Sequence, residues 1–263
     1  MFTCVKISLQ WIIGLGLLLL AGCSQTANNN AVKEVENNLA MAQAAFDYAQ
    51  FDRALSLLEK TIEQQPDHQM ARLMLARTLY QLDQKQAAQK QLRRLLDSEG
   101  SEAAQAAYYL GQFQLKADDS ASAIKTYSQG LQWATPQSGL IGQLHNGLAV
   151  AQLNQQAFDV AVEHFNLALA SDPDSATFRS NLALCWLMQG DLERAKSTFS
   201  PLLNYQQLSQ RVEMNWALLL LAQGKEQQAK HILAKYLTRE QLQHDLVQLK
   251  AGLPAMTAVA NTQ

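Results

Sequence analysis

The sequence predicts an all-α fold: about six helical hairpins in a row, closed by a C-terminal capping helix. Three observations carry this reading. Leu, Ala and Gln number 43, 38 and 33 of 263 residues, and these side chains lose little rotamer freedom in a helix. β-branched residues are few, with 9 Val, 7 Ile and 11 Thr, which argues against a sandwich or a barrel. Small residues recur at a near-constant interval along most of the chain, as they do in repeat architectures. With 48% apolar residues the chain can bury a core, so wholesale disorder is excluded. A net charge of −2 and a pI of about 6.2 leave no basic field for nucleic acid.

The first element stands apart from the fold. Residues 11–22 form an apolar run that follows Lys6 and ends in Ala21-Gly22. The run is well short of the roughly 20 residues needed to span a bilayer, and its layout is that of a secretory signal peptide at residues 1–22. The junction Leu20-Ala21-Gly22-Cys23 resembles the lipobox of bacterial lipoproteins. The resemblance implies a diacylglyceryl group on the Cys23 thiol and cleavage just before it. Ser24, in place of an Asp, fits sorting to the outer membrane, with the protein lipid-anchored on its periplasmic face. Residues 23–34 then read as the lipidated Cys and a flexible tether. The stretch Ser24 to Ala31 can hold the array within about 30 Å of the bilayer. Cys4 leaves with the signal and Cys23 is acylated. Only Cys185 then remains, between Leu184 and Trp186, and it reads as a small buried apolar residue.

The array itself spans residues 35–252. An Ala followed four residues later by Leu or an aromatic appears six times: Ala54/Leu58, Ala88/Leu92, Ala123/Tyr127, Ala161/Phe165, Ala195/Phe199 and Ala229/Leu233. The Ala residues are separated by 34, 35, 38, 34 and 34 positions. Twelve residues before each Ala stands another small residue: Ala42, Ala76, Gly111, Ala149, Ala183 or Ala217. Immediately before that stands a large one: Met41, Leu75, Leu110, Leu148, Leu182 or Trp216. The small columns let two helix backbones approach, and the large ones fill the space between hairpins. Pro66 and Pro173 mark helix stops, and Gly190 and Gly224 mark turns. The pattern is identified as that of the tetratricopeptide repeat, two antiparallel helices per repeat stacked into a superhelix. Repeats fall near residues 35–68, 69–102, 104–137, 142–175, 176–209 and 210–243. The extra residues around Pro136 to Leu140 mark a place for a bend. Thr238 and Gln241 form a capping-box pattern before Leu242, Leu246 and Leu249, which predicts a helix covering the sixth repeat. Residues 253–263 read as a frayed tail.

Motifs for chemistry are scarce. The sequence has no phosphate-cradling glycine loop, nucleophile elbow or His-Glu-x-x-His, and no catalytic residue or cofactor is assigned. Ser122-Ala123-Ile124-Lys125 copies a Ser-x-x-Lys motif without its companions and contains the packing residue Ala123. The five His lie apart in sequence and make no metal-ligand spacing, so no metal site is expected. Asp172-Pro173-Asp174 reads as a helix stop and start, not a calcium loop. What remains is a surface. Inward-facing positions of the first helix of each hairpin give Arg77, Tyr80, Tyr108, Gln112, Asn146, Leu153, Leu184, Met188, Asn215 and Leu218 as candidate groove residues. Amides there can bond an extended peptide backbone, and Leu, Met and Tyr can take apolar side chains.

The second half carries a closer likeness. Asn181-Leu182-Ala183-Leu184 leads through Gly190-Asp191 and Ala195 to Pro201-Leu202-Leu203. After Arg211 come Asn215-Trp216-Ala217-Leu218 and Gly224. This resembles the TadD-type tight-adherence (Flp) pilus assembly lipoproteins. Ser200 stands where that family often has Arg, and Trp216 where it often has Leu. The resemblance implies a non-enzymatic outer-membrane scaffold whose protein clients are the pilus secretin or other assembly components. Two alternatives keep the scaffold and change the client: an adaptor for cell-wall hydrolases or outer-membrane biogenesis, or a type IV pilus secretin pilot.

Overall fold

The computed structural model describes residues 32–253. The signal segment, Cys23, most of the tether and the end of the tail lie outside the described residues. Within them the chain forms thirteen α-helices and two short 3-10 turns, with no strand. It divides into two compact units, one ending at Leu95 and the other beginning at Leu96.

Unit 1 holds two hairpins. The first joins α1 (32–47) to α2 (Phe51–Gln64), and the second joins α3 (Gln69–Gln81) to α4 (Lys85–Leu96). Their small-residue columns are closed, since Ala42, Ala54, Ala76 and Ala88 are at most 1% exposed. Leu58 and Leu92 are buried beside them. The Phe46 ring meets Phe51 edge-on at 5.4 Å. Met41 departs from the expected large-residue packing, being 46% exposed. Among the described residues no hairpin precedes α1, so nothing covers that face.

Unit 2 continues with α5 (Ser101–Lys116) and α6 (Ser120–Trp133), then a 3-10 turn at Pro136–Ser138. Next come α7 (Leu140–Asn154), α8 (Phe158–Ser171), α9 (Ala176–Met188) and the short α10 (Leu192–Phe199). A second 3-10 turn, Ser200–Asn204, precedes α11 (Gln210–Ala222), α12 (Glu226–Leu233) and α13 (Arg239–Gly252). Ala123, Ala149, Ala161, Ala195, Ala217 and Ala229 are fully buried, as are Phe165 and Phe199. Close helix approach thus occurs where the small residues recur.

Every hairpin turns through one residue of left-handed backbone. These are Ala49, Asp83, Asp118, Gln156, Gly190 and Gly224, with φ between 55° and 89°. Only the last two are glycines, so only they were visible as turn signals in the sequence. Side chains seal several helix starts. Asp119, Ser175 and Asp191 each accept a backbone N–H from the third residue beyond, which satisfies donors a helix leaves open. The Thr238–Gln241 capping box forms in both directions.

The capping helix α13 packs Leu246 against Ala217, Leu220 and Leu233. Glu226 of α12 binds Lys230 and Lys250, the second of these on α13. Leu253, assigned to the frayed tail by the sequence, instead packs against the apolar clusters of α9 to α13. Its side chain is apolar and the helix carries it onto an apolar surface. No helix among the described residues is long and apolar enough to cross a membrane.

Candidate functional site

The first helices of the hairpins in unit 2, α5, α7, α9 and α11, bring together a cleft of about 350 Å³. Tyr108, Gln112 and Leu115 come from α5, and Gln143, Asn146, Gly147 and Val150 from α7. Thr177 and Phe178 open α9, with Asp172 and Ser175 just before it, and Arg211 opens α11. The floor includes Tyr127 of α6. The walls are part apolar and part amide, and no two opposed charges are paired across them.

Tyr127 holds the aromatic place of the third hairpin and is 1% exposed. Its ring lies between the backbones of Gly111 and Gly147. A Cβ at either glycine would stand 2.5 Å from Cζ of the ring, closer than carbon atoms can approach. Any side chain at these two positions would displace the ring. Tyr127 and Gly147 both line the cleft. Burial drives the ionisation of Tyr127 far above the usual tyrosine value, so the phenol stays protonated and acts as a donor. The neighbouring Tyr108 is also raised, mainly by burial, and its hydroxyl bonds Gln112.

Beside the cleft runs a ladder of amides. Asn181 Nδ2 donates to Asn146 Oδ1 at 2.8 Å, and Asn215 Nδ2 to Asn181 Oδ1 at 3.4 Å and Ser180 Oγ at 3.3 Å. The three Asn stand about one repeat apart, so stacking of hairpins brings them into line. Asn181, buried at 4%, was absent from the sequence candidates. Its match in spacing to Asn146 and Asn215 was the signal that could have found it.

The structure separates the ten sequence candidates. Tyr108, Gln112 and Asn146 share the cleft. Asn215 belongs to the ladder. Leu184 and Leu218 pack against the cluster of Ala183, Phe199 and Val212, and Leu153 against that of Phe165 and Cys185. Met188 is half-buried near the end of α9. Arg77 and Tyr80 lie in unit 1, where the Arg77 guanidinium sits 4.8 Å over the Phe46 ring.

The histidines correct the sequence reading that they are scattered. His145 of α7 and His164 of α8 meet with their Nδ1 atoms 3.0 Å apart. The ring centroids are 5.2 Å apart with planes inclined by 22°. That centroid distance is close to the nitrogen separation plus two ring radii, so the rings meet nitrogen to nitrogen, not face on face. One proton bridges them. Burial lowers both imidazoles below 6.5, with Glu163 opposing the shift at His164. The two residues are 19 positions apart, and only the antiparallel pairing of α7 and α8 sets them side by side. No group of three His, Cys, Asp or Glu among the described residues could hold a metal. Cys185 is a buried free thiol pushed up to about 11 by burial, as the sequence suggested for a packing residue. Ser122 and Lys125 sit on α6 around the fully buried Ala123.

Hairpins of this length, with small residues at each helix crossing, define an array of tetratricopeptide repeats. The family model of the tetratricopeptide repeat matches residues 45–108 and 152–214. Among solved structures, PilF of Pseudomonas aeruginosa superimposes with a TM-score of 0.67 at 13% identity, over 83% of this chain and 99% of that one. PilW, described as a widely conserved type IV pilus biogenesis factor, gives 0.66 at 16%, over 81% and 98%. MamA of Desulfovibrio magneticus gives 0.55 at 14%, over 65% and 93%. At these identities the likeness is one of fold. No curated protein sequence matches the chain significantly.

Proposed function

We propose that the protein is a lipid-anchored, non-enzymatic scaffold that holds a protein client on the cleft-bearing face of unit 2. Its role is to assist assembly of a tight-adherence (Flp) pilus or secretion apparatus at the outer membrane. The observation that carries this reading is the row of amides, hydroxyls and aromatic side chains on α5, α7, α9 and α11 around one cleft. Such a row can bond an extended chain and pocket its side chains. The pilus assignment rests on the sequence pattern of residues 181–224, and the anchor on the lipobox at Cys23. A second reading, a secretin pilot for type IV pili, draws support from the likeness to PilW along nearly all of that chain.

Co-purification from solubilised membranes tests the client. Replacing Asn215 and Leu184 together by Ala should weaken capture of the secretin by on the order of 2–4 kcal/mol, or about 30- to 1,000-fold. Melting temperature is measured in parallel, because Leu184 also packs against the α9–α11 cluster. Capture at the wild-type level by a folded, lipidated variant would rule out this part of the face. Genes for an ATPase, a prepilin peptidase and a secretin beside this one would favour the tight-adherence reading over the pilot. For the anchor, Cys23→Ser should leave an unlipidated precursor, and a diacylglyceryl mass on that variant would refute the site.

A further inference from the structure

The candidate groove makes no use of His145 and His164. Both are half-buried where α7 packs on α8. Their Nδ1 atoms lie 3.0 Å apart, their ring centroids 5.2 Å, and their planes are inclined by only 22°. Head-on rings of this kind place both Nδ1 bonding directions close to one line. In the hydrogen-bonded pair a single proton lies on that line, donated by one ring and accepted by the other. The helices on either side are fixed, because Leu144 and Ala149 of α7 and Ala161, Phe165 and Ala168 of α8 are fully buried. What can adjust is the pair of imidazoles. No third His, Cys, Asp or Glu among the described residues joins them to make a larger ligand group.

We propose that this pair binds a soft monovalent cation, copper(I) or silver(I) in type, held in line between the two Nδ1 atoms. Ligand number and direction select that class. Closed-shell ions of this kind take two ligands on opposite sides, which is what two head-on imidazoles offer. Zinc takes four ligands in a tetrahedron, and copper(II) or nickel(II) a square arrangement. Seating either would swing both rings off their shared line and call on water for the remaining ligands inside a half-buried seam. Distance agrees. A metal–imidazole bond is about 2 Å long, so a cation in line needs nitrogens about 4 Å apart. From the present 3.0 Å each ring withdraws by about 0.5 Å, which small side-chain rotations supply. Charge agrees as well. Burial already disfavours positive charge on both rings, and the carboxylate that opposes this at His164 is the exposed Glu163. One positive charge is therefore accommodated at lower cost than two. When the cation enters, the shared proton leaves Nδ1 for water and that ring takes one from water at Nε2. Both imidazoles stay neutral, and the cation carries the single charge.

Silver nitrate is titrated into the purified ¹⁵N-labelled protein in chloride-free buffer, with the ring nitrogens of His145 and His164 as readout. A Cys185→Ala background removes the buried thiol, a competing soft ligand. Silver held elsewhere leaves these ring signals unmoved. The expected result is a parallel, saturable shift of both Nδ1 signals, with one silver ion held by the pair. Zinc and nickel salts at the same concentrations should leave both signals in place. His145→Gln and His164→Gln should each weaken silver binding at the surviving ring by at least on the order of 10- to 100-fold, since losing even a supporting partner of a metal ligand costs that much. Melting temperature without metal shows that each variant is folded, and the titration of the unsubstituted pair decides the matter if one is not. No shift, a shift of one ring alone, or unchanged affinity in a folded variant overturns the proposal. A shift with zinc or nickel at lower concentration than with silver overturns the monovalent, linear assignment.

Discussion

Tyr127 and Phe199 hold the same place in the third and fifth hairpins, yet the surroundings use them in opposite ways. Phe199 lies stacked against Trp216 of the following hairpin, with ring centroids 4.9 Å apart and planes within 15°. Ala183 and Ala195 share its cluster, and the space is filled by carbon. Tyr127 has glycines where the other region has larger residues, so its ring sits between two backbones and lines a cleft. The difference teaches how a repeat acquires a site. The aromatic position is a packing device while its neighbours are large. Removing side chains from both neighbours turns it into the floor of a polar cavity.

The largest loss is expected at the filled end. Phe199→Ala should destabilise unit 2 by about 3–5 kcal/mol, because it empties a site with no exposure and strips Trp216 of its partner. Denaturant unfolding measures this, and a loss near zero would mean that Phe199 does not hold the hairpins together. Overpacking tests the column beside it. Ala195→Leu should cost about 1–3 kcal/mol, whereas Gln228→Leu, on the exposed face of α12, should stay within about 0.5 kcal/mol. Equal melting temperatures would contradict the register. At the open end, Gly147→Ala sets a Cβ 2.5 Å from the Tyr127 ring, which must shift to admit it. The expected cost of about 1–3 kcal/mol is partly offset by the preference of a helix for Ala, which is worth about 1 kcal/mol. Adding Tyr127→Leu should restore most of the loss, and no restoration would show the clash to lie elsewhere.

The smallest expected effect is that of pH. Burial holds His145 and His164 below 6.5, so the unfolded chain binds more protons than the folded one just below that value. Their contribution is therefore fully present above about 6.5 and is lost as pH falls through the folded values. The second proton also breaks the Nδ1–Nδ1 bridge. Melting temperature should fall between pH 7.5 and 5.5, and less so in His145→Gln. Carboxylates lowered by partners, such as Glu226 at about 2 and Glu213 below its usual range, act only at more acid pH. An identical slope in wild type and variant would remove the histidine pair as its source.

Much of this molecule was legible in the chain. The interval between small residues fixed the hairpins, their crossings and the buried aromatic column, because close helix approach has a local requirement that one residue type must meet. The capping box at Thr238 was legible for the same reason, since both partners lie within one turn. The cleft was legible only in part. Tyr108, Gln112 and Asn146 followed from the helical face they occupy, but Tyr127 belonged by pattern to the core. What brought it into the cleft was the pair Gly111 and Gly147, one from its own hairpin and one from the next. Non-glycine turn residues such as Ala49 and Gln156 were hidden too, because the hairpin imposes their left-handed backbone against their own preference. The meeting of His145 with His164 and the entry of Asn181 into the ladder each depend on side chains from different helices. Sequence alone determined the spacing that makes helices cross. Tertiary structure decided which side chains the crossing leaves without a partner, because hydrogen-bond satisfaction is settled between helices and not within them.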